Sequence, residues 1–303
     1  MEADERMNKD CFYRYHPTVN LLYFTLVITF SMLITHFAAQ VIALLCAITY
    51  IITVEGKKGL LFLLKFCLPI LLLTALINPF FNREGATVLL YLGNGIPITL
   101  ESILYGMASG TMIITVLLWF SAFSRVMTSD KLIYLFGKVI PALSLIFSMS
   151  LRFVPNFQKQ TKAVVDAQRC IGHDISTGSL WQRLKTAVTV FSIMITWSLE
   201  NAIDTADSMK SRGYGLKGRT ALMIYRLDDR DKYAIVWLGF CGLFLTAGVI
   251  LSAFSFRYFP TVHYTAVDMT TLPFYAVYFG LCITPVVLNV KEAIKWKILY
   301  SKM

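Results

Sequence analysis

A glycine-rich stretch at residues 213–220 resembles a nucleotide-binding loop. Its letters, GYGLKGRT, satisfy the G-x-G-x-x-G dinucleotide pattern, and they match the phosphate-loop pattern except that Arg219 stands where that loop has lysine. Both kinds of loop must follow a buried strand and open a helix, so that backbone amides and the helix N-terminus face the phosphates. Here the glycines instead follow an acidic helical pattern that contains Asp204 and Asp207. The context predicts a turn at the end of a helix and disfavours a nucleotide site.

Other residue types that carry chemistry are too widely spaced to form a site. The four histidines do not stand at zinc-ligand spacing, and no G-x-S-x-G nucleophile motif occurs. The six cysteines are scattered, mostly in apolar surroundings, with no close pair for a metal or redox motif. We therefore expect free thiols, no catalytic residues, no metal site and no bound cofactor.

The composition is that of a protein whose solvent is largely a lipid bilayer. Hydrophobic residues make up 56% of the 303 residues, charged residues only 15%, and the mean hydropathy is +0.63. Soluble globular proteins carry about 25% charged residues. The net charge of +10 comes from basic residues between and beside apolar blocks, as in the cytoplasmic loops of membrane proteins. Most aromatic residues lie inside the apolar blocks, which disfavours a nucleic-acid partner.

Apolar blocks near the ~20 residues needed to cross the hydrocarbon core predict an all-α polytopic membrane protein with about six transmembrane helices. Residues 20–54 are too many for one span, and the polar pair at residues 35–36 divides them into a helical hairpin. A third span is expected at residues 60–77, and the proline at position 79 is expected to end it. The later spans are expected at residues 103–123, 234–254 and 272–290.

The distribution of lysine predicts that both termini lie in the cytoplasm. Lys57 and Lys58 follow the hairpin, and the C-terminal tail places further lysines on the same side. The loop at residues 80–101 is poor in positive charge and contains a short β-like run at residues 87–92. The first ten residues lead to no small-residue cleavage site, so we expect no cleaved signal peptide.

The predicted regions are a cytoplasmic N-terminal segment (1–19), four membrane helices (20–123), a cytoplasmic or interfacial segment (124–232), and two membrane helices with a basic tail (233–303).

The segment at residues 124–232 contains two strongly apolar stretches that are not obvious spans. Residues 132–157 are interrupted by Gly137 and Pro141, and residues 187–199 are too few to cross a bilayer comfortably. We expect both stretches to lie along the membrane interface or to pack together.

Two helices in this segment are predicted to end at glycines. The first begins after Pro155 and ends at Gly172, with one face formed by Phe157, Val164, Val165 and Gln168. The second, capped near Thr177 or Ser179, ends at Gly213. It has an apolar stripe, formed by Leu199, Ala202, Ile203, Ala206 and Met209. It also has an acidic stripe, formed by Glu200, Asp204 and Asp207. Arg212 lies at its end, where the helix dipole favours a cation.

The residues around these two helix ends resemble a known family. Residues 150–157 read SLRFVPNF, residues 163–174 read AVVDAQRCIGHD, and residues 197–215 read WSLENAIDTADSMKSRGYG. They resemble the transmembrane T component of energy-coupling factor (ECF) transporters, the EcfT/CbiQ family, and the resemblance extends over most of the chain. In that family two Ala-Arg-Gly-like tripeptides end two cytoplasmic coupling helices. Ser211-Arg212-Gly213 keeps the arginine and the glycine, whereas Cys170-Ile171-Gly172 has isoleucine in place of arginine.

The resemblance implies a scaffold in the cytoplasmic membrane of a prokaryote, with amphipathic coupling helices on the cytoplasmic side. It implies that the two helix ends dock in grooves on two ABC ATPase subunits, and that the membrane helices hold a substrate-binding membrane subunit, the S component. ATP hydrolysis would take place in the ATPases, so this chain is not expected to be an enzyme. Movement of the coupling helices would topple the S component and release a vitamin or metal cargo inside. The implied docking residues are Ser211, Arg212, Gly213, Arg169, Cys170, Ile171 and Gly172, with Arg169 or apolar packing replacing the missing arginine.

Three other classes of membrane protein are alternatives to this scaffold. A self-sufficient ABC permease subunit is the closest alternative, because it also couples to ATPases through short cytoplasmic helices. A secondary transporter or channel would need broken helices or polar residues near the bilayer midplane, whereas the polar residues here concentrate at 124–232. An intramembrane enzyme would need ionisable pairs inside the spans, which are almost bare of acids and histidines.

Overall fold

The computed structural model describes residues 11–56, 59, 61, 63–82, 85–91, 97–174, 178–216, 225–264 and 268–300. The chain forms two compact units, one made of Met1–Leu132 with Tyr225–Met303 and the other of Ile133–Ile224. Several predicted features fall outside the described residues. These are residues 1–10, Lys57, Lys58, residues 92–96, Thr177 and residues 217–220.

The described part of the chain is mainly helical. Its α-helices are α1 (Pro17–Leu33), α2 (Phe37–Glu55), α3 (Leu68–Phe81), α4 (Leu100–Val126), α5 (Ser129–Val139), α6 (Pro141–Cys170), α7 (Leu180–Ser211), α8 (Asp229–Ile250) and α9 (Leu272–Tyr300). A 3-10 turn at Phe12–Arg14 precedes α1, and a π-helical turn at Leu63–Cys67 leads into α3. Two short antiparallel hairpins pair β1 (Val88–Tyr91) with β2 (Pro97–Thr99), and β3 (Phe256–Arg257) with β4 (His263–Tyr264).

Several of the described helices have the length and apolarity of membrane-spanning segments. Five stretches among the described residues qualify by length and composition, namely Phe37–Val54, Leu100–Val126, Leu180–Ser211, Asp229–Ile250 and Leu272–Lys295. Pro17–Leu33 and Lys65–Phe81 are shorter apolar helices. Residues 187–199, predicted to be too few to cross a bilayer, belong to the 32-residue α7, which is long and apolar enough to do so, so the prediction of a short segment is wrong. Large apolar side chains such as Leu76 and Leu243 are exposed, as expected for helices that face lipid. The prediction of an all-α polytopic membrane protein is confirmed.

Histidine caps the first two helices. His16 Nδ1 accepts from Thr18 N at the start of α1, and His36 Nδ1 accepts from Ala38 N at the start of α2, both at 3.3 Å. These bonds satisfy backbone donors that a helix start leaves unpaired. The predicted hairpin break at residues 35–36 is confirmed, because α1 ends at Leu33 and α2 begins at Phe37.

Three predicted helix boundaries are wrong. Pro79 does not end α3, which continues to Phe81 and closes with a bond from Asn82 N to Asn78 O at 2.9 Å. Gly137 lies inside α5, where a Cβ would approach Ser144 Cβ to 3.0 Å, so this glycine permits a close approach and does not break the helix. Pro155 lies inside α6, which begins at Pro141. A proline removes one helical hydrogen bond, and a long helix with many remaining bonds can absorb that loss.

In the first unit, α4 packs against α1, α2 and α3, while α9 packs against α2 and α8. Gly106 allows α4 to approach α3 closely, since a Cβ there would lie 3.0 Å from Asn78 Cβ. The centre contains large aromatic residues, and the Trp119 ring stacks on Tyr50 with a centroid separation of 6.0 Å. Tyr23 Oη donates to the Cys282 carbonyl at 3.2 Å and ties α1 to α9.

The segment before α1 is anchored to this unit by its backbone. Phe12 is fully buried in the core, and Cys11 N donates to Asn289 Oδ1 of α9 at 2.9 Å. The Lys131 amine at the start of α5 is buried, donates to the Tyr13 carbonyl, and lies 3.9 Å from the centroid of the Tyr13 ring. Asp231 of α8 accepts from His16 N at 3.1 Å. The segment therefore ties together the starts of α5 and α8, which flank the second unit in sequence.

Candidate functional site

The two helices that carry the predicted docking residues, α6 and α7, belong to the second unit and pack against each other. Thr186, Val190 and Met194 form the buried stripe of α7, and their spacing of four residues keeps them on one face. Further along the pair, the rings of Phe157 on α6 and Trp197 on α7 lie 6.2 Å apart. The predicted apolar face of α6 is half-buried at Val164, Val165 and Gln168.

The apolar stripe predicted for the C-terminal half of α7 is oriented differently from the prediction. Leu199 and Ile203 are each 63% exposed, and Ala202 and Ala206 are exposed as well. Met209 is the one member of the predicted stripe that is half-buried, and it shares that face with Asn201 and Thr205, which continue the Met194 stripe. Sequence periodicity located the most apolar face of this half of the helix, but the neighbouring, more polar face is the half-buried one.

The α6 end is closed by a Schellman motif. Ile171 is the C-cap residue, Gly172 follows with φ of +88°, and His173 N donates to the Gln168 carbonyl at 3.0 Å. Gly172 N donates to the Arg169 carbonyl at 3.1 Å, which completes the pair of bonds that defines the motif. The positive φ is accessible to glycine without the strain of a Cβ.

The α7 end is closed in the same way. Arg212 is the C-cap residue and Gly213 follows with φ of +82°. Tyr214 N donates to the Met209 carbonyl at 3.0 Å, and Gly213 N donates to the Lys210 carbonyl at 2.9 Å. At the opposite end, Ser179 forms a capping box with Gln182, so the predicted cap at Ser179 and the predicted stop at Gly213 are both confirmed.

Ile171 and Arg212 therefore occupy equivalent positions in two matching helix ends. Their backbone angles are almost the same, with φ and ψ of −88° and 1° for Ile171 and −84° and 8° for Arg212. Both side chains are exposed, and Ile171 keeps 69% of its surface accessible, which is high for a large apolar residue. Among the described residues, no carboxylate lies within ion-pair distance of the Arg212 guanidinium. The two ends thus present one apolar side chain and one cation.

The other predicted docking residues play local roles in the free chain. Arg169 Nε pairs with Asp174 Oδ2 at 3.2 Å, and because the guanidinium is largely exposed, this pair contributes little stability. Cys170 is an exposed free thiol, and Ser211 Oγ donates to the Ser208 carbonyl at 2.9 Å. Arg169 and Ile171 are both exposed, so both remain candidates for the contact that the missing arginine makes in the family.

A groove between α6 and α7, with a volume of about 720 Å³, was not predicted from the sequence. Arg152 and Lys159 line it from α6, and Asp204 and Arg212 line it from α7. The i to i+7 spacing of Arg152 and Lys159 could have indicated that they share a face, but the pairing of α6 with α7 was not specified by either helix alone.

The glycine motif does not have the setting of a nucleotide loop in the described part of the chain. Gly213 and Gly215 both have positive φ and follow the C-terminus of α7, not a strand. Within the described residues, no group of three or more His, Cys, Asp or Glu side chains could hold a metal ion.

Comparison with known proteins identifies the family. Residues 11–222 match the CbiQ family, described as cobalt transport protein. The chain is 29% identical over 214 residues to the energy-coupling factor transporter transmembrane protein EcfT of Listeria innocua, which covers 65% of this chain and 78% of that protein. It is 29% identical over 211 residues to EcfT of Exiguobacterium sibiricum, covering 65% of this chain and 80% of that protein.

A third relative matches over a shorter stretch. The chain is 34% identical over 122 residues to EcfT of Lactobacillus helveticus, and the match covers 40% of this chain and 42% of that protein, less than half of its length. The family match itself extends over well more than half of this chain. The chain therefore belongs to the CbiQ family of cobalt transport proteins, the transmembrane T components of energy-coupling factor transporters, and the resemblance seen in its helix-end motifs is confirmed.

Proposed function

We propose that this chain transmits the ATP-driven movement of two ABC ATPase subunits to a substrate-binding S component. The observation that carries the proposal is the pair of matching Schellman motifs, which hold Ile171 and Arg212 in the same backbone geometry at the ends of two packed helices. The names of the EcfT relatives support a place in an energy-coupling transporter.

The two helices are suited to transmit movement because they are long and packed against each other. At a rise of 1.5 Å per residue, the 30 residues of α6 and the 32 residues of α7 extend about 45 and 48 Å. The Schellman motifs satisfy two carbonyl groups at each helix end, those of Gln168 and Arg169 in α6 and of Met209 and Lys210 in α7, without help from a partner. The docking residues are thus held in place before an ATPase binds, which reduces the entropy lost on binding.

The two helix ends would recognise different surfaces. The planar guanidinium of Arg212 can bind a carboxylate of one ATPase through two parallel hydrogen bonds. Ile171 would enter an apolar pocket on the other ATPase, because burial of an exposed isoleucine is favourable without any charged partner. The two sites would then differ in their sensitivity to salt, since only the contact of Arg212 is ionic.

The remaining parts of the proposal concern orientation and cargo. The lysine asymmetry supports cytoplasmic termini and a cytoplasmic location for Ile171 and Arg212. We place ATP hydrolysis in the ATPase subunits and cargo recognition in the S component, so this chain would be neither an enzyme nor the binding site of the cargo.

Affinity capture of the tagged chain from detergent-solubilised membranes tests this function. We expect two ATPase polypeptides and one small membrane subunit to copurify, and quantitative mass spectrometry measures their ratios. Capture of the ATPases without any membrane subunit, from membranes that still take up the cargo, would contradict the S-component coupling and support a self-sufficient permease.

A further inference from the structure

The groove between α6 and α7 carries more positive charge than its own residues neutralise. Three cations line it, Arg152 and Lys159 from α6 and Arg212 from α7, against the carboxylate of Asp204. Among the described residues, none of these four side chains has a partner within ion-pair distance. All four residues are exposed. In the free chain the groove therefore presents a net charge of +2 to whatever enters it.

The groove also has an apolar component. Met149 and Phe153 of α6 and Met209 of α7 line it and are half-buried. A simple anion such as phosphate would leave this apolar surface uncovered. The combination suits an occupant that is itself amphipathic, with apolar side chains facing the methionines and acidic side chains facing the cations.

The dimensions of the groove limit the occupant further. The lining residues extend from 149 to 159 on α6 and from 201 to 212 on α7, which is about 15 to 17 Å at 1.5 Å per residue. Arg152 and Lys159 are seven residues apart, so they lie on one face with a separation of about 10 Å along the helix axis. A helix of about three turns, with carboxylates two turns apart, would match both the length and the charges.

We infer that this groove receives an acidic amphipathic helix of the ATPase subunit that docks at Arg212, and that Arg152 and Lys159 are further docking residues. This inference rests on the proposed function, because it extends the Arg212 contact along α6. The ATPase is favoured over a lipid because Arg212 lines the groove and also ends the helix that the family resemblance assigns to ATPase docking. The ATPase would then contact residues of both α6 and α7, in addition to the end of α7.

Charge reversal along the groove tests the inference. We would measure the dissociation constant of the cognate ATPase pair for the purified full chain, in neutral detergent without anionic lipid, for Arg152→Glu, Lys159→Glu and the double variant. Lys162→Glu is the matched control, since Lys162 is an exposed cation of α6 that does not line the groove. We expect each single reversal to weaken binding at least tenfold, the double variant more, and Lys162→Glu less than twofold. Monodisperse elution and unchanged helicity show that each variant is folded.

The Arg212→Ala variant, measured alongside, separates failure of the inference from failure of the proposed function. If Arg212→Ala weakens ATPase binding while the groove reversals match the control, the groove inference is overturned and the proposed function stands. If neither Arg212→Ala nor the groove reversals change binding, both are overturned. An effect of the groove reversals that is confined to nanodiscs containing phosphatidylglycerol would identify a lipid headgroup as the occupant and overturn the inference. Recovery of affinity when an acidic residue of the ATPase helix is changed to lysine in the Lys159→Glu background would support it.

Discussion

Replacing Arg212 by alanine separates two roles that a cation at a helix end can have. One role is the interaction with the negative end of the helix dipole, which contributes about 0.3–1 kcal/mol to stability. The Schellman bonds of α7 use backbone atoms of Met209, Lys210, Gly213 and Tyr214, so they do not depend on the Arg212 side chain. Because that side chain is exposed and has no ion-pair partner among the described residues, Arg212→Ala should lower the stability of the free chain by no more than this amount.

The second role is docking, and its expected magnitude is larger. Removing one member of a buried, hydrogen-bonded charge pair costs roughly 2–5 kcal/mol, mostly because the other charge is left unpaired. With about 1.4 kcal/mol for each factor of ten, ATPase binding should weaken by roughly 30-fold to a few thousand-fold. Arg212→Lys keeps the charge but loses the planar fork, and we expect an intermediate loss.

The assay combines three measurements on the same variants: thermal unfolding of the free chain, ATPase affinity in detergent, and cargo uptake by cells. Lys210→Ala is the control, because Lys210 lies in the last turn of α7 and pairs with Asp207 at 3.9 Å while both side chains stay largely exposed. We expect Arg212→Ala to be expressed and inserted normally but to lose uptake, whereas Lys210→Ala should be nearly normal. Near-normal uptake by Arg212→Ala would refute the docking role and leave this arginine with the helix dipole alone.

Three further predictions address the other helix end, the N-terminal anchor and the orientation. Ile171→Asp should weaken ATPase binding at least tenfold, because a carboxylate would be desolvated without a partner. Ile171→Leu should bind the ATPases normally. Equal binding by the two variants would exclude this helix end from the interface. Lys131→Met should lower the free energy of unfolding in detergent by about 1–3 kcal/mol, because the bond from its amine to the Tyr13 carbonyl is lost. The control Lys232→Met should leave that free energy unchanged, since Lys232 is exposed. An unchanged free energy for Lys131→Met would argue against the anchor. In a cysteine-free background, a thiol at position 261 should react with an impermeant reagent outside sealed cells and a thiol at position 162 should not; the opposite pattern would invert the topology.

The sequence was sufficient for features that depend on local chemistry. The Thr35-His36 pair that divides the first hairpin, the serine cap of α7 and the glycine that ends it act within one turn of the chain, so residue types alone indicate them. Family resemblance added the pairing of Ile171 with Arg212. That the two residues share the C-cap position of matching motifs became evident from the backbone hydrogen bonds.

Features that depend on which elements meet were not predictable in the same way. Pro155 was expected to begin a helix, yet the apolar residues before it extend α6 back to Pro141. The stripe containing Leu199 and Ile203 was the most apolar face of the C-terminal half of α7, but the half-buried face there is the one with Asn201 and Thr205. The groove between α6 and α7 arises only when the two helices pack, so neither helix alone could indicate it.

We propose that this chain couples ATP hydrolysis to cargo entry only through a separate membrane subunit. The decisive experiment is cargo uptake into proteoliposomes that contain the purified chain and the ATPase pair, with or without the S component, and with ATP supplied on the ATPase side. We predict ATP-dependent uptake when all components are present, and none when the S component is omitted or when Arg212→Ala replaces the parent chain. ATP-dependent uptake by the chain and the ATPases alone would rule out coupling through an S component and identify the chain as a permease.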